Sequence, residues 1–229
     1  MAKKRKKTRK ELLKEPDEFL TISAKLIGLA REHQTQLAWA LGAIFFLALV
    51  VSGFRLYLIR AESNASALLD RSVDKYLQVR SSTEPEAAYR EVSADFQMII
   101  DEYGRRQSGK LARLIYANIC YDAGKYKQAI GLYTAALDDF KDWPLISSQI
   151  LGSLGYTCEQ LQDTAGAVNY FEKLSAVPEA VMKAEALYHL GWLYDKLGQT
   201  EKSNQAFAKI LTDYPDYIYI DLVKERMSG

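Results

Sequence analysis

Between Leu37 and Phe54 the chain reads "LAWALGAIFFLALVVSGF", eighteen residues without a charge. An α-helix rises about 1.5 Å per residue, so roughly 20 such residues cross a hydrocarbon layer about 30 Å thick. Together with "RLYLI" the stretch predicts a transmembrane helix over 37–59, where Arg55 can reach the headgroups while Leu56 to Ile59 stay in the interface. Before it, in "EPDEFLTISAKLIGLAREHQ", Phe19, Ile22, Leu26, Leu29 and Ala30 recur at three- and four-residue spacing behind Pro16 and Asp17, the marks of an amphipathic helix. Two readings fit that helix: one lying on the inner leaflet, so that residues 17–59 contact lipid, and one solvated ahead of the membrane. After the span the pattern changes to amphipathic segments of uniform size, ending in "YIYIDLVKERM" (Tyr217 to Met227), which alternates apolar and charged positions.

Charge gives this layout a direction. Residues 1–36 carry ten Lys/Arg against five Asp/Glu, seven of the cations within "KKRKKTRK", whereas residues 61–229 carry eighteen Lys/Arg against twenty-four Asp/Glu, a net of −6. The near-neutral total of +1 conceals this step. A cleaved signal peptide has a short basic head and an apolar stretch of about 7–15 residues, so "ASA" at Ala65 to Ala67 is not read as a cleavage site. The positive-inside rule puts the head in the cytoplasm and residues 61–229 on the far side. A basic cluster also suits nucleic-acid binding, but next to a membrane span the topological reading is simpler, and no nucleic acid is expected as a partner.

The amphipathic segments repeat. Leu190-Gly191 falls 36 residues after Leu154-Gly155, and Phe207 falls 36 after Phe171; Ala167 and Phe171 lie 38 after Ala129 and Tyr133. Periods of about 20–50 residues mark stacked repeats. Leu187, Leu190, Gly191, Tyr194, Phe207 and Pro215 resemble the tetratricopeptide repeat family, although Ser203 stands where that family has a small Ala. The middle repeat keeps Leu151, Leu154, Gly155, Ala167 and Phe171 but has Cys158 for Tyr, and the earlier one keeps Ala129, Tyr133 and Ala136 but has Ala117 for Gly. "VSADFQMIIDEYG" (Val92 to Gly104) resembles a second helix alone. The expected fold is therefore all-α: one N-terminal transmembrane helix, then a solenoid of helical hairpins closed by a capping helix, since stacked hairpins leave an apolar end. The domains read as 1–36, a basic cytoplasmic head with the amphipathic helix; 37–59, the span; 60–72, a juxtamembrane helical linker; 73–217, the solenoid; and 218–229, the cap.

No signature of chemistry accompanies the repeats. The two histidines, His33 and His189, stand without a Cys or carboxylate at metal-ligand spacing, no phosphate-binding Gly-rich loop is followed by Lys-Ser/Thr, and no G-x-S-x-G elbow occurs. Adjacent carboxylates at Asp101-Glu102 and Asp138-Asp139 point apart on a helix. Neither enzyme, cofactor nor metal is expected. Cys120 and Cys158 fall at equivalent positions of successive first helices, about 8–10 Å apart, whereas a disulfide needs Cα atoms within roughly 7 Å, so both are expected as buried thiols.

The resemblance implies a function as well as a fold. In tetratricopeptide repeats the concave side of the first helices binds partners, and here those positions hold Leu111, Leu114, Asn118, Tyr121, Tyr156, Tyr188, His189 and Trp192. Tyr and Trp combine apolar area with a hydrogen-bonding group, a composition typical of interaction hot spots. Two occupants fit that groove: a protein partner, or this chain's own N- or C-terminal helix. An N-in anchor before a repeat body is similar in layout to the ancillary SecYEG translocon subunit family of the bacterial cytoplasmic membrane. That likeness implies a scaffold or chaperone-like adaptor in the periplasm, with translocon or periplasmic chaperones as partners. The alternative is a cell-envelope assembly factor or an accessory subunit of an envelope enzyme complex. The lipobox Cys of tetratricopeptide lipoproteins is absent.

Overall fold

The computed structural model describes residues 18–178 and 180–228; the basic run Lys3–Lys10 and the residues Pro16 and Asp17 lie outside them. Among the described residues ten helices follow one another: α1 (Glu18–Glu32), α2 (Gln34–Arg80), α3 (Pro85–Tyr103), α4 (Gln107–Asp122), α5 (Tyr126–Asp139), α6 (Pro144–Gln160), α7 (Thr164–Ala176), α8 (Lys183–Lys196), α9 (Thr200–Asp213) and α10 (Ile220–Ser228). The described residues contain no strand. The chain divides at Ile59 and Arg60 into two units.

In the first unit, α1 and the N-terminal part of α2 are helical as the periodicity predicts. Every described residue from Leu37 to Tyr57 is exposed within the chain, including Phe45, Phe46 and Val50. An apolar helix with no covering side chain is unfavourable in water. By length and composition this is the one helix among the described residues suited to crossing a membrane.

The second unit begins inside α2 and is a one-dimensional stack in which each helix from α3 to α10 packs on the next. Ala65, Leu69 and Ser72 of α2 are already buried, and Leu69 joins Val92, Phe96 and Tyr116 in one apolar core. Lys75 Nζ donates to the Glu91 carbonyl (2.6 Å) and pairs with Asp95 (2.9 Å), fastening α2 to α3. Arg106, at the N-cap of α4, offers no capping side chain. Glu62 of α2 supplies the cap, its carboxylate accepting from the backbone N–H groups of Gln107 (3.1 Å) and Ser108 (2.8 Å) and from the Ser108 hydroxyl (2.7 Å). Those donors are the unsatisfied amides of a helix start, where negative charge is favoured. The end of α2 thus pairs with α3 ahead of the repeat hairpins.

Three hairpins follow, α4–α5, α6–α7 and α8–α9, and each turns in the same way. The amides of Lys125, Asp163 and Gln199 donate to the carbonyls of Cys120, Cys158 and Tyr194 at 2.8–2.9 Å. The residue before each of those amides takes positive φ: Gly124 at 71°, Gln162 at 60° and Gly198 at 72°. This is the Schellman closure of a helix, which favours glycine because a Cβ crowds the left-handed conformation. Inside the hairpins a glycine meets a ring. A Cβ on Gly155 would sit 2.6 Å from Phe171 Cζ, and one on Gly191 would sit 2.5 Å from Phe207 Cε1. Both rings are fully buried. The close helix approach expected from Gly155 and Gly191 is therefore what seats the aromatic of each second helix. In the α4–α5 hairpin Ala117 and Tyr133 hold the equivalent positions, and both are buried. Val223 of α10 closes the apolar end while Asp221, Lys224 and Glu225 face solvent, as the capping helix requires.

Candidate functional site

The first helices α4, α6 and α8 lie one hairpin apart, and equivalent positions form rows across them. Leu111, Leu114, Asn118 and Tyr121 share one face of α4 at spacings of three and four residues. Leu111 is 43% exposed, Leu114 packs against the core formed with α2 and α3, and Tyr121 meets Tyr126 edge-on at 5.5 Å. Asn118 is exposed, and its Oδ1 accepts from the Tyr133 hydroxyl at 2.7 Å, so the amide's position is set by the ring behind it.

The other four residues make one continuous aromatic chain. Tyr156 stands edge-on to Phe171 at 5.4 Å and to His189 at 5.0 Å, while His189 stacks on Phe171 at 4.9 Å and 19°. Tyr188 touches Trp192 at 6.3 Å, and Trp192 meets Phe207 edge-on at 5.5 Å. Trp192 remains 42% exposed and walls a shallow cleft of about 280 Å³ with Glu159, Gln162 and Lys196. A large ring held by a buried ring, with one face open, is the geometry of an interaction anchor: it presents apolar area with little rotamer entropy left to lose.

His189 has partners that its sequence neighbourhood was not expected to give. Glu159 of α6 lies 3.0 Å from Nδ1, and Glu185, one turn before it on α8, lies 3.4 Å from Nε2. The Tyr156 hydroxyl donates to one Glu185 oxygen at 3.2 Å and the Tyr217 hydroxyl to the other at 2.7 Å. Burial alone would lower the imidazole pKa, but the hydrogen bonds and charges of Glu159 and Glu185 outweigh it and raise it above the usual histidine range. Burial and the Glu185 charge push the Tyr156 phenol up, and burial with a bond to Glu185 does the same to Tyr217. The network ties the second hairpin to the third and to the segment before α10. The Glu185–His189 spacing was visible in the sequence; Glu159 reaches the ring, and Tyr217 reaches Glu185, only through the stacking of repeats.

The same segment covers part of the face. Tyr217 and Tyr219 lie 5.9 and 5.4 Å from Tyr188, so the C-terminal end of the row is occupied by this chain itself. Sequence reasoning missed both as members of the face, because their signal was read as that of the cap alone. The open stretch runs from Leu111 and Asn118 through Tyr156 to Trp192. Nothing in it resembles a reacting centre: among the described residues no group of three or more His, Cys, Asp or Glu is arranged to hold a metal ion. Cys120 and Cys158 are buried and unpaired, and burial pushes their thiols up to about 12 and about 11.

Comparison with known proteins agrees with this geometry. Residues 185–217 and 148–177 each match a tetratricopeptide repeat family model. Two hairpins of the solenoid therefore match tetratricopeptide repeats. The matches cover the third hairpin, α8–α9, with the segment that follows it, and the second hairpin, α6–α7, the two whose first helices carry Gly191 and Gly155. Among solved structures, the crystal structure of BtubC (BKLC) from P. vanneervenii is 16% identical, with 75% of this chain and 92% of that chain covered and a TM-score of 0.41. No curated protein matches the chain significantly. Tetratricopeptide repeats point to protein–protein interaction, and the first-helix face of α4, α6 and α8 is where this solenoid offers unfilled aromatic surface.

Proposed function

We propose that this protein is a membrane-anchored adaptor whose tetratricopeptide solenoid binds protein partners through the open face of α4, α6 and α8. The observation that carries the reading is Trp192, held edge-on against the buried Phe207 while 42% of it stays exposed. The exposed apolar part of α2 supports an anchor, and the step from a basic head to an acidic body supports an N-terminus in the cytoplasm and a solenoid in the periplasm of a bacterial cell. The likeness in layout to the ancillary SecYEG translocon subunit family supports reading the adaptor as a scaffold or chaperone-like component near the export translocon. Leu111, Leu114, Asn118, Tyr121, Tyr156 and Trp192 form the binding face, with Tyr188 and His189 supporting it from beneath the C-terminal tyrosines.

A photo-crosslinking residue at position 192 of the full chain, in intact cells, tests this directly. Translocon subunits or periplasmic chaperones in the adduct are the expected result. Truncating a buried aromatic anchor costs an interface about 2 kcal/mol, roughly thirtyfold in affinity, so Trp192→Ala should release the same partner from detergent-solubilised membranes. Retention of that partner by a Trp192→Ala protein with unchanged melting would remove the face from the reading.

A further inference from the structure

The helices of the solenoid alternate in direction, so its connections fall on two edges. The turns at Gly124, Gln162 and Gly198 form one edge, with Lys125, Asp163 and Gln199 beside them. The other edge is made by the connections before α4, α6, α8 and α10, and there apolar side chains stand in solvent: Trp143 57% exposed, Leu145 67%, Val181 84% and Ile218 81%. Leu145, in the first turn of α6, and Val181, in the connection before α8, wall one cleft of about 360 Å³ with Met182. At the edge of the Gly124, Gln162 and Gly198 turns the comparable exposed side chains are Leu77 in the last turn of α2, 59% exposed, and Leu197, 43%.

Two facts say what meets this edge. Glu62 is bonded to Gln107 and Ser108 at the start of α4, which fixes the beginning of the second unit at the edge that carries Trp143 and Val181. Ile59 ends the apolar stretch and Arg60 follows it directly, so the chain enters the second unit immediately after that stretch. The same edge presents Arg105 and Arg106 in a cleft of about 710 Å³, where Lys110 and Arg113 are both engaged by Asp139. Arg105 and Arg106 form no ion pair among the described residues.

We infer that the edge of Trp143, Leu145 and Val181 docks on the phospholipid interface of the membrane that holds the anchor, a conclusion that rests on the anchor reading above. Trp and aliphatic side chains insert at the boundary of headgroups and acyl chains, and arginines pair with phosphate. A tethered surface needs little intrinsic affinity, because the anchor already supplies a high effective concentration. Docking holds the solenoid against the bilayer by one edge and leaves the face of Trp192 accessible along the membrane surface.

The full chain, reconstituted in vesicles of phosphatidylcholine and phosphatidylglycerol with brominated acyl chains, tests the inference. One variant keeps only Trp143 (Trp39→Phe with Trp192→Phe) and another keeps only Trp39 (Trp143→Phe with Trp192→Phe). Loss of Trp143 emission in brominated relative to unbrominated vesicles is expected, and its recovery when Leu145→Glu and Val181→Glu are added shows that the edge, beyond the tether, brings it to lipid. Equal Trp143 emission in both vesicles overturns the docking, as does quenching that survives the two glutamates. Emission that changes only with protein-to-lipid ratio assigns the edge to contacts between copies and also overturns it. The Trp39-only variant reads the anchor separately: quenched Trp39 with unquenched Trp143 sinks the docking alone, and unquenched Trp39 sinks the anchor.

Discussion

Gly191→Ala adds one methyl group to a helix, a change that ordinarily stabilises an exposed helix by about 0.5–1 kcal/mol. At this position the new Cβ would lie 2.5 Å from Cε1 and 2.8 Å from Cε2 of Phe207, with Cζ equally obstructed. Carbon atoms pack comfortably at about 3.5–4.0 Å, so the ring must retreat by roughly 1 Å. It has nowhere to go: Phe207 is fully buried, with Trp192 edge-on at 5.5 Å and Tyr188 at 6.4 Å. Overpacking of this kind costs about 1–3 kcal/mol. The expected net loss is about 2 kcal/mol, a fall in Tm of roughly 4–8 °C for a chain of this size. Gly131 is the internal control, since nothing lies within 4 Å of its Cβ position on α5, and Gly131→Ala should raise Tm by the helix-propensity gain. Thermal unfolding of the full chain in detergent, followed by circular dichroism, compares the two. Phe207→Leu combined with Gly191→Ala should lose less than the sum of the single variants, because removing the ring removes the clash. If both alanines raise Tm alike, the glycine–aromatic register of the hairpins is wrong.

Gln162 alone of the three equivalent turn residues carries a side chain at positive φ, so Gln162→Gly should stabilise by about 0.5–1 kcal/mol, read as a rise in Tm; a fall would show that the strain is absent. The pKa of His189 is raised by Glu159 and Glu185, with Tyr156 and Tyr217 completing its surroundings, so its bridge contributes fully below the unfolded value of about 6.5 and is lost as pH rises through the folded value. Tm of the wild type should therefore decline from mildly acidic to alkaline pH relative to His189→Gln, and parallel profiles would discount the bridge. With thiols pushed up to about 12 and about 11 and no exposed surface, Cys120 and Cys158 should resist a thiol reagent at neutral pH and react only in denaturant; rapid labelling of the folded protein would contradict their burial.

Local physics made most of this architecture legible from residue order. A run of eighteen uncharged residues needs an apolar surrounding wherever it sits, and apolar positions three and four apart need a helix face to bury. The 36-residue recurrence of Leu-Gly followed by an aromatic marks successive helical hairpins, though it does not say that Phe171 and Phe207 lie on Gly155 and Gly191 of their own hairpins. Tertiary structure decided what depends on long-range contact. Where α2 joins the stack is marked by Glu62 bonding the bare amides of α4, a pairing 45 residues apart that no periodicity encodes. His189 read as solitary because Glu159 belongs to a neighbouring layer, brought within bonding distance only when hairpins stack. The aromatic face was nameable from the repeat register, but how much of it stays open was fixed by Tyr217 and Tyr219 folding back over Tyr188. A helix's own sequence specifies which side it must bury; which neighbour covers that side, and what remains in solvent, is fixed only when the whole stack closes.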